Sequence, residues 1–251
     1  MKRLLGLLAL CVAMALLAMP VLAEGGTIIM GTNAAFPPFE YLGDDGQPDG
    51  FDVAIAREIA KDLGKELVVD DMVFDGLLAA LQSGKIDFVA AGMTVKEERK
   101  EFANFSDSYF TARQKIVVQK GYDGIKTTDD IADKKVAVQD GTTGFYMATD
   151  DFGVPETAIS GFKATVDAIM ELKTGRVDCV ILDSNPADVF VSQNDDIEML
   201  DIVLPDEFYA IAVGKDNIEL LDSINATLAR LHEDGTFEAL VDQYITGATA
   251  N

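Results

Sequence analysis

Three short stretches carry the polar residues best placed to do chemistry. Thr94-Val95-Lys96-Glu97 follows an apolar strand ending near Gly92 and fits a capping box, with Thr94 as N-cap and Glu97 answering three residues later. Arg99 then falls in the first turns of that helix, near the strand's carboxyl end. Gly141-Thr142-Thr143-Gly144 follows the strand Lys135-Val136-Ala137-Val138 and opens a helical run at Phe145, so its backbone N–H groups suit an anion. It has neither the Lys nor the spacing of a phosphate loop, which favours a carboxylate over a nucleotide, with Arg99 as a bidentate partner from the opposite lobe. Asp183 ends the run Val177-Asp178-Cys179-Val180-Ile181-Leu182, where an α/β site would receive a ligand ammonium. Phe36 and Phe74 border strands of the first half and read either as core or as walls for a ligand side chain. Taken alone, Thr94 reads equally well as a plain cap and Arg99 as a solvated cation.

Composition removes much other chemistry. The chain has 251 residues, 43 Asp and Glu against 20 Lys and Arg, and a formal net charge of −23. A nucleic-acid binder needs a basic face, so that partner is excluded. His232 is the only histidine, which leaves no room for a zinc site with several His ligands and little for a Ser-His-Asp or Cys-His mechanism. No cofactor and no metal is expected.

The start of the chain reads as an export signal. Lys2 and Arg3 precede an apolar run from Leu4 to about Ala18, followed by Met19-Pro20-Val21-Leu22-Ala23 and a polar change at Glu24. A basic end, an apolar stretch and small residues before a cut describe a secretory signal peptide over residues 1–23, cleaved after Ala23. Cys11 follows Leu10, a poor match to a lipidation box. Loss of Lys2 and Arg3 leaves 18 basic residues against 43 acidic ones, net −25. Cys179 then stands alone and reads as a small core residue on a strand.

The rest alternates short apolar runs with amphipathic stretches, the pattern of α/β units on mostly parallel sheets. Thr27–Thr32 and Glu66-Leu67-Val68-Val69 read as strands, residues 51–63 as a helix stopped by Gly64, and Asp75 as the cap of a helix through Leu81 and Gln82. Gly84-Lys85-Ile86-Asp87 then leads into a strand, and Gly175-Arg176-Val177-Asp178 does the same ninety residues later, after a helix for which Thr165 is the expected cap. The echo suggests two similarly built lobes. Gln114–Val118 and Phe208–Val213 are the candidate crossovers, and a cleft between the lobes is the default site. The division expected is 24–111 with 211–251 as lobe 1 and 112–210 as lobe 2.

The chain resembles the family 3 periplasmic solute-binding proteins of polar amino acid ABC transporters, from Thr27 to about Gly247. The resemblance rests on Gly31-Thr32-Asn33-Ala34-Ala35-Phe36-Pro37-Pro38-Phe39-Glu40, Gly50-Phe51-Asp52-Val53-Ala54 and Ala91-Gly92-Met93-Thr94-Val95-Lys96-Glu97-Glu98-Arg99. Phe105-Ser106-Asp107-Ser108-Tyr109-Phe110, Gly141-Thr142-Thr143-Gly144 and Glu233-Asp234-Gly235-Thr236-Phe237 follow in order. It implies a two-lobed type II periplasmic-binding-protein fold with two mixed, mostly parallel sheets and a two-strand hinge. It implies that Arg99 grips a ligand α-carboxylate with help from Thr142 and Thr143. Gly92, Thr94 and Asp183 would take the α-ammonium, and Phe36 and Phe74 would flank the side chain. The partners implied are an amino acid and an ABC permease at the inner membrane, for a periplasmic monomer.

Three departures bear on the ligand. Asn33 stands where the family often has an acid, Gln139 where some members have Lys, and Leu182 where some have a polar residue. A site that has lost an acid should bind cationic side chains poorly. A neutral amino acid is therefore expected, with glutamine first. A cyclohexadienyl dehydratase-like enzyme on the same fold is the alternative, although no spare carboxylate can be placed in the pocket beyond Asp183 and Asp140. A receptor's sensor module is a third reading.

Overall fold

The computed structural model describes residues 25–247. The expected signal peptide, its cleavage after Ala23, and Cys11 lie outside the described residues. Among the described residues no helix is long and apolar enough to cross a membrane.

The first half contains strands β1 (Thr27–Thr32), β2 (Ala35–Phe36), β3 (Glu40–Leu42), β4 (Pro48–Asp49), β5 (Glu66–Asp71), β6 (Phe88–Val89) and β7 (Ala103–Phe105). Then come β8 (Phe110–Gln119), β9 (Val136–Gln139), β10 (Ile159–Phe162), β11 (Cys179–Asp183), β12 (Ile197–Met199), β13 (Asp206–Tyr209) and β14 (Ala212–Gly214). One sheet has the order β5-β1-β6-β14-β7, parallel across its first three strands and antiparallel at β14. The second runs β10-β9-β11-β8-β12, with β9 parallel to both neighbours and β8 antiparallel to β11 and β12. The strands β2, β3 and β4 form a small antiparallel sheet leading into the helix Phe51–Asp62.

Each main sheet is covered on both faces, which is why its strands read as unbroken apolar runs. In β11, Cys179 and Ile181 point into one core cluster and Val180 and Leu182 into another, the two-residue alternation of a strand buried on both sides. The helices Phe51–Asp62 and Ile218–Glu233 cover one face of the first sheet around Phe51, Ile55, Phe88 and Leu228. The helix Leu77–Gln82 covers the other. Cys179 is fully buried in this setting, and burial pushes its thiol up to about 12, so it is inert packing.

The repeated Gly-basic-apolar-Asp phrase has a structural cause. Asp87 accepts a hydrogen bond from Ile29 N at 2.7 Å, and its own N–H returns one to Ile29 O. Asp178 does the same with Lys135, accepting from its N at 2.8 Å and donating to its O. In both halves an aspartate pins the start of a returning strand to its neighbour.

The crossings between the sheets differ from the expected segments. Only the first residues of β8 cross, pairing Phe110 with Tyr209 and Arg113 with Asp206 of β13. Gln114–Val118 already belongs to the second sheet and Ala212–Gly214 to the first. Apolar runs mark sheet interiors, whereas the crossing ladder alternates exposed and buried residues because one side faces solvent.

None of the three expected caps forms: Lys96 takes the place of Thr94, and the other two side chains go to distant partners. Asp75 lies inside a turn at Phe74–Gly76 and pairs with Lys163 at 2.8 Å, so Gly76 precedes the helix. Thr165 is the first helical residue and donates its hydroxyl to Gln139 Oε1 at 2.9 Å. In each case a polar partner from another segment takes the side chain that the local pattern assigned to a backbone N–H.

Candidate functional site

The loops after β1, β6, β9 and β11 converge between the two sheets on a cavity of about 310 Å³, counting the space open at its mouth. Asn33, Phe36, Phe74, Gly92, Thr94, Arg99, Gln139, Thr142, Thr143 and Asp183, all ten residues singled out in the sequence, line it. Glu40 and Ala91 complete the lining. Among the described residues no cluster of acids, His or Cys is placed to hold a metal ion.

Arg99 sits in the short helix Glu97–Lys100, whose cap is Lys96 and not Thr94. The guanidinium is buried and donates to Thr94 O at 2.7 Å and, from the other terminal nitrogen, to Gly141 O at 3.0 Å. Its centre lies 5.4 Å from the Phe74 ring centroid. Two of five donors are thereby used, and the rest suit a carboxylate. Burial lowers the affinity of this group for its proton, and Glu207 and other acids counter that, so the cation persists. Thr142 caps the helix Thr143–Tyr146 by accepting from Phe145 N at 3.4 Å, so the helix starts two residues before the expected Phe145.

The acids stand opposite. Asp183 ends β11, is buried, and its Oδ1 finds no hydrogen-bond partner in the chain. Burial first, then the nearby Glu207 carboxylate, push its pKa up to about 7. Gly92 has φ 52°, and its N–H donates to Asp52 Oδ2 at 2.7 Å, which fixes the turn beside the cavity. Glu40, fully buried on β3, lines the cavity, and its carboxyl hydrogen-bonds the adjacent Asp52 carboxylate. Burial and the adjacent Asp52 carboxylate raise it well above the usual range, which keeps it neutral. The expectation that no further carboxylate reaches the pocket is therefore wrong. Glu40 has a signal only as part of Pro37-Pro38-Phe39-Glu40, where its two-residue alternation with Tyr41 gave no hint of which side faced a cavity.

At the remaining end, Gln139 Nε2 donates to Asn33 Oδ1 at 2.8 Å and to Lys163 O at 3.1 Å, and Asn33 Nδ2 donates to Met72 O at 2.9 Å. The amide pair is thus largely satisfied within the chain. Phe36 stacks on Phe39 at 6.0 Å, and Phe39 in turn meets Phe51, Phe110 and Tyr209, so Phe36 is both core and wall. Leu182 is buried in the second-lobe core and does not line the cavity. Asp140 pairs with Lys163 at 3.2 Å. Glu207, unsignalled in the sequence, stands behind the cavity and accepts from Thr94, Thr143 and Gln114.

Comparison with known proteins agrees with this architecture. Residues 28–247 match the model of the bacterial extracellular solute-binding proteins, family 3. The arginine-binding extracellular protein ArtP of Bacillus subtilis (strain 168) is 36% identical over 261 aligned residues, covering 98% of each chain. The arginine-bound form of a truncated ArgBP from T. maritima is 44% identical with a TM-score of 0.78, covering 84% of this chain and 98% of that one. An ancestral arginine-binding protein bound to glutamine is 43% identical with a TM-score of 0.82, covering 87% and 97%. The chain therefore belongs to family 3 of the bacterial extracellular solute-binding proteins.

Proposed function

We propose that this protein captures a free α-amino acid between two closing lobes, 24–111 with 211–251 and 112–210, and delivers it to an ABC permease from the periplasm. One observation carries the reading: a buried cation, Arg99, and a buried carboxylate with an unpartnered oxygen, Asp183, face one small cavity. That is the complement of a zwitterion, in which a carboxylate and an ammonium are attached to the same carbon. Each charge-assisted hydrogen bond made there is worth roughly 1.5–3 kcal/mol. Thr142 and Thr143 assist Arg99, and Gly92 and Thr94 assist Asp183.

For the side chain we propose an end that carries N–H donors. Asn33 and Gln139 are occupied with each other, which leaves Glu40, whose proton is shared with Asp52, as the acceptor among the lining residues. Glutamine is the first ligand to test, because a neutral Glu40 suits a carboxamide. Arginine is the second, favoured by Glu40 itself: the argument against cations rested on a missing acid, and this acid lines the cavity. A guanidinium there would draw Glu40 into its ionised form. A thermal-shift screen against the common amino acids, followed by calorimetry, tests the proposal, since a ligand bound only by the folded state raises the melting temperature. No response to any amino acid would end it. The proposal carries no catalytic step, and incubation with arogenate and prephenate checks this, since phenylalanine or phenylpyruvate would mark a dehydratase.

A further inference from the structure

We infer that Glu207 is a positioning residue that fixes which way the site's threonine hydroxyls point, and so makes the site select an ammonium. The inference rests on the amino-acid reading above. Glu207 is buried on β13, the returning crossover strand, and does not itself line the cavity. Its Oε2 accepts from Thr94 Oγ1 at 2.8 Å, from Thr143 Oγ1 at 2.8 Å and from Gln114 Nε2 at 3.3 Å. These donors come from three places: the loop after β6, the helix after β9, and the outgoing crossover strand β8. One carboxylate oxygen thus ties both lobes and both crossings.

The consequence is chemical. A hydroxyl has one proton and two lone pairs. Thr94 and Thr143 both line the cavity, and both spend their proton on Glu207. Thr143 Oγ1 also accepts from Gln114 Nε2 at 3.0 Å. What Thr94 can still offer a ligand is an acceptor, beside the unpartnered Asp183 Oδ1. An ammonium with three N–H groups satisfies both, whereas a ligand without that group leaves buried acceptors unpaired. Without an acceptor at residue 207 the hydroxyls are free to turn, and Thr94 can present its proton instead.

The test compares two ligands in two variants. The ligands are whichever of L-glutamine and L-arginine binds the unaltered protein, and its counterpart without the amino group, glutaramic acid or 5-guanidinopentanoic acid. Glu207→Leu removes the acceptor at similar volume, and Glu207→Gln keeps a carbonyl oxygen in its place. In Glu207→Leu the preference for the amino acid should narrow by about tenfold or more, through weaker amino-acid binding, with the other ligand changed by less than about threefold. In Glu207→Gln the preference should stay within about threefold of the original. Melting of the ligand-free variants checks the fold, and Glu207→Met repeats the test if the Leu variant does not fold. Equal weakening of both ligands, or a Gln variant as damaged as the Leu one, overturns the inference. Unaltered protein that binds no amino acid overturns instead the reading on which it rests.

Discussion

Gln139 donates from Nε2 to Asn33 Oδ1 at 2.8 Å, joining the end of β9 to the loop after β1 across the cleft. The bond closes the far end of the cavity from both sides. Its two residues are two of the three at which the sequence departs from the pattern expected of its family, so it bears directly on which ligand fits.

Replacing Asn33 by Asp keeps the oxygen that accepts from Gln139 and adds a charge to the cavity that Glu40 also lines. Arginine should gain on glutamine by about tenfold in relative affinity, since a desolvated guanidinium then has a second acid to meet. Calorimetry with both ligands reads the ratio. An unchanged ratio would place the ligand's side chain elsewhere in the cavity.

Arg99→Ala should lower amino-acid affinity by at least about a hundredfold, the loss of two charge-assisted bonds. It also removes the bonds to Thr94 O and Gly141 O, so the melting temperature of the ligand-free protein should fall modestly. Arg99→Lys should recover little, because an ammonium cannot donate along two parallel directions to one carboxylate. Retained affinity in Arg99→Ala would remove the central assignment.

Gly92→Ala should destabilise the protein and weaken binding together. The left-handed backbone at φ 52° costs an alanine about 1–2 kcal/mol. A Cβ there would also lie 3.0 Å from Phe36 Cε1, pressing on the wall of the cavity. Denaturant melts and ligand titrations on the same sample would show both losses, and a stable variant with lower affinity would assign the effect to the wall alone.

Affinity should rise with pH up to about 7 and then level off. Burial and Glu207 hold Asp183 protonated below that value in the ligand-free protein, and an arriving ammonium must displace the proton. Binding near pH 6 should therefore release protons, visible as a buffer-dependent heat in calorimetry. For folding the sign is reversed. The folded state holds this proton more tightly than the unfolded chain, so Asp183 favours the ligand-free fold below the ordinary carboxylate range and loses that contribution as pH rises through about 7.

Lys163 bridges the cleft at its rim, bonding Asp75 at 2.8 Å and Asp140 at 3.2 Å. The pair is exposed, so its contribution is screened by salt. Lys163→Ala should speed ligand release at low ionic strength, and the difference should vanish at high salt in stopped-flow measurements. A difference insensitive to salt would point to packing instead.

Much of this molecule was legible in order along the chain. Apolar runs gave the strands, because a sheet covered on both faces leaves no polar position in its interior, as in residues 179–182. The same apolar runs, read with helix and glycine punctuation, located Arg99, the glycine-threonine turn and Asp183 near strand ends, where loops of an α/β sheet converge. The repeated Asp87 and Asp178 showed that one device was used twice.

What the sequence determined by itself was therefore the set of local elements and the residue types gathered at the strand ends. Tertiary structure alone decided what those polar side chains do. Thr94, Asp75 and Thr165 each satisfied a local capping pattern, yet each bonds a residue far away in the chain, because a better placed partner from another segment outcompetes the nearer backbone N–H. Glu207 carries no local signal at all, and Glu40 only its place in Pro37-Pro38-Phe39-Glu40. A carboxylate is conspicuous in sequence only by its neighbours, whereas its charge state and its task depend on the low-dielectric space and the donors that folding places around it.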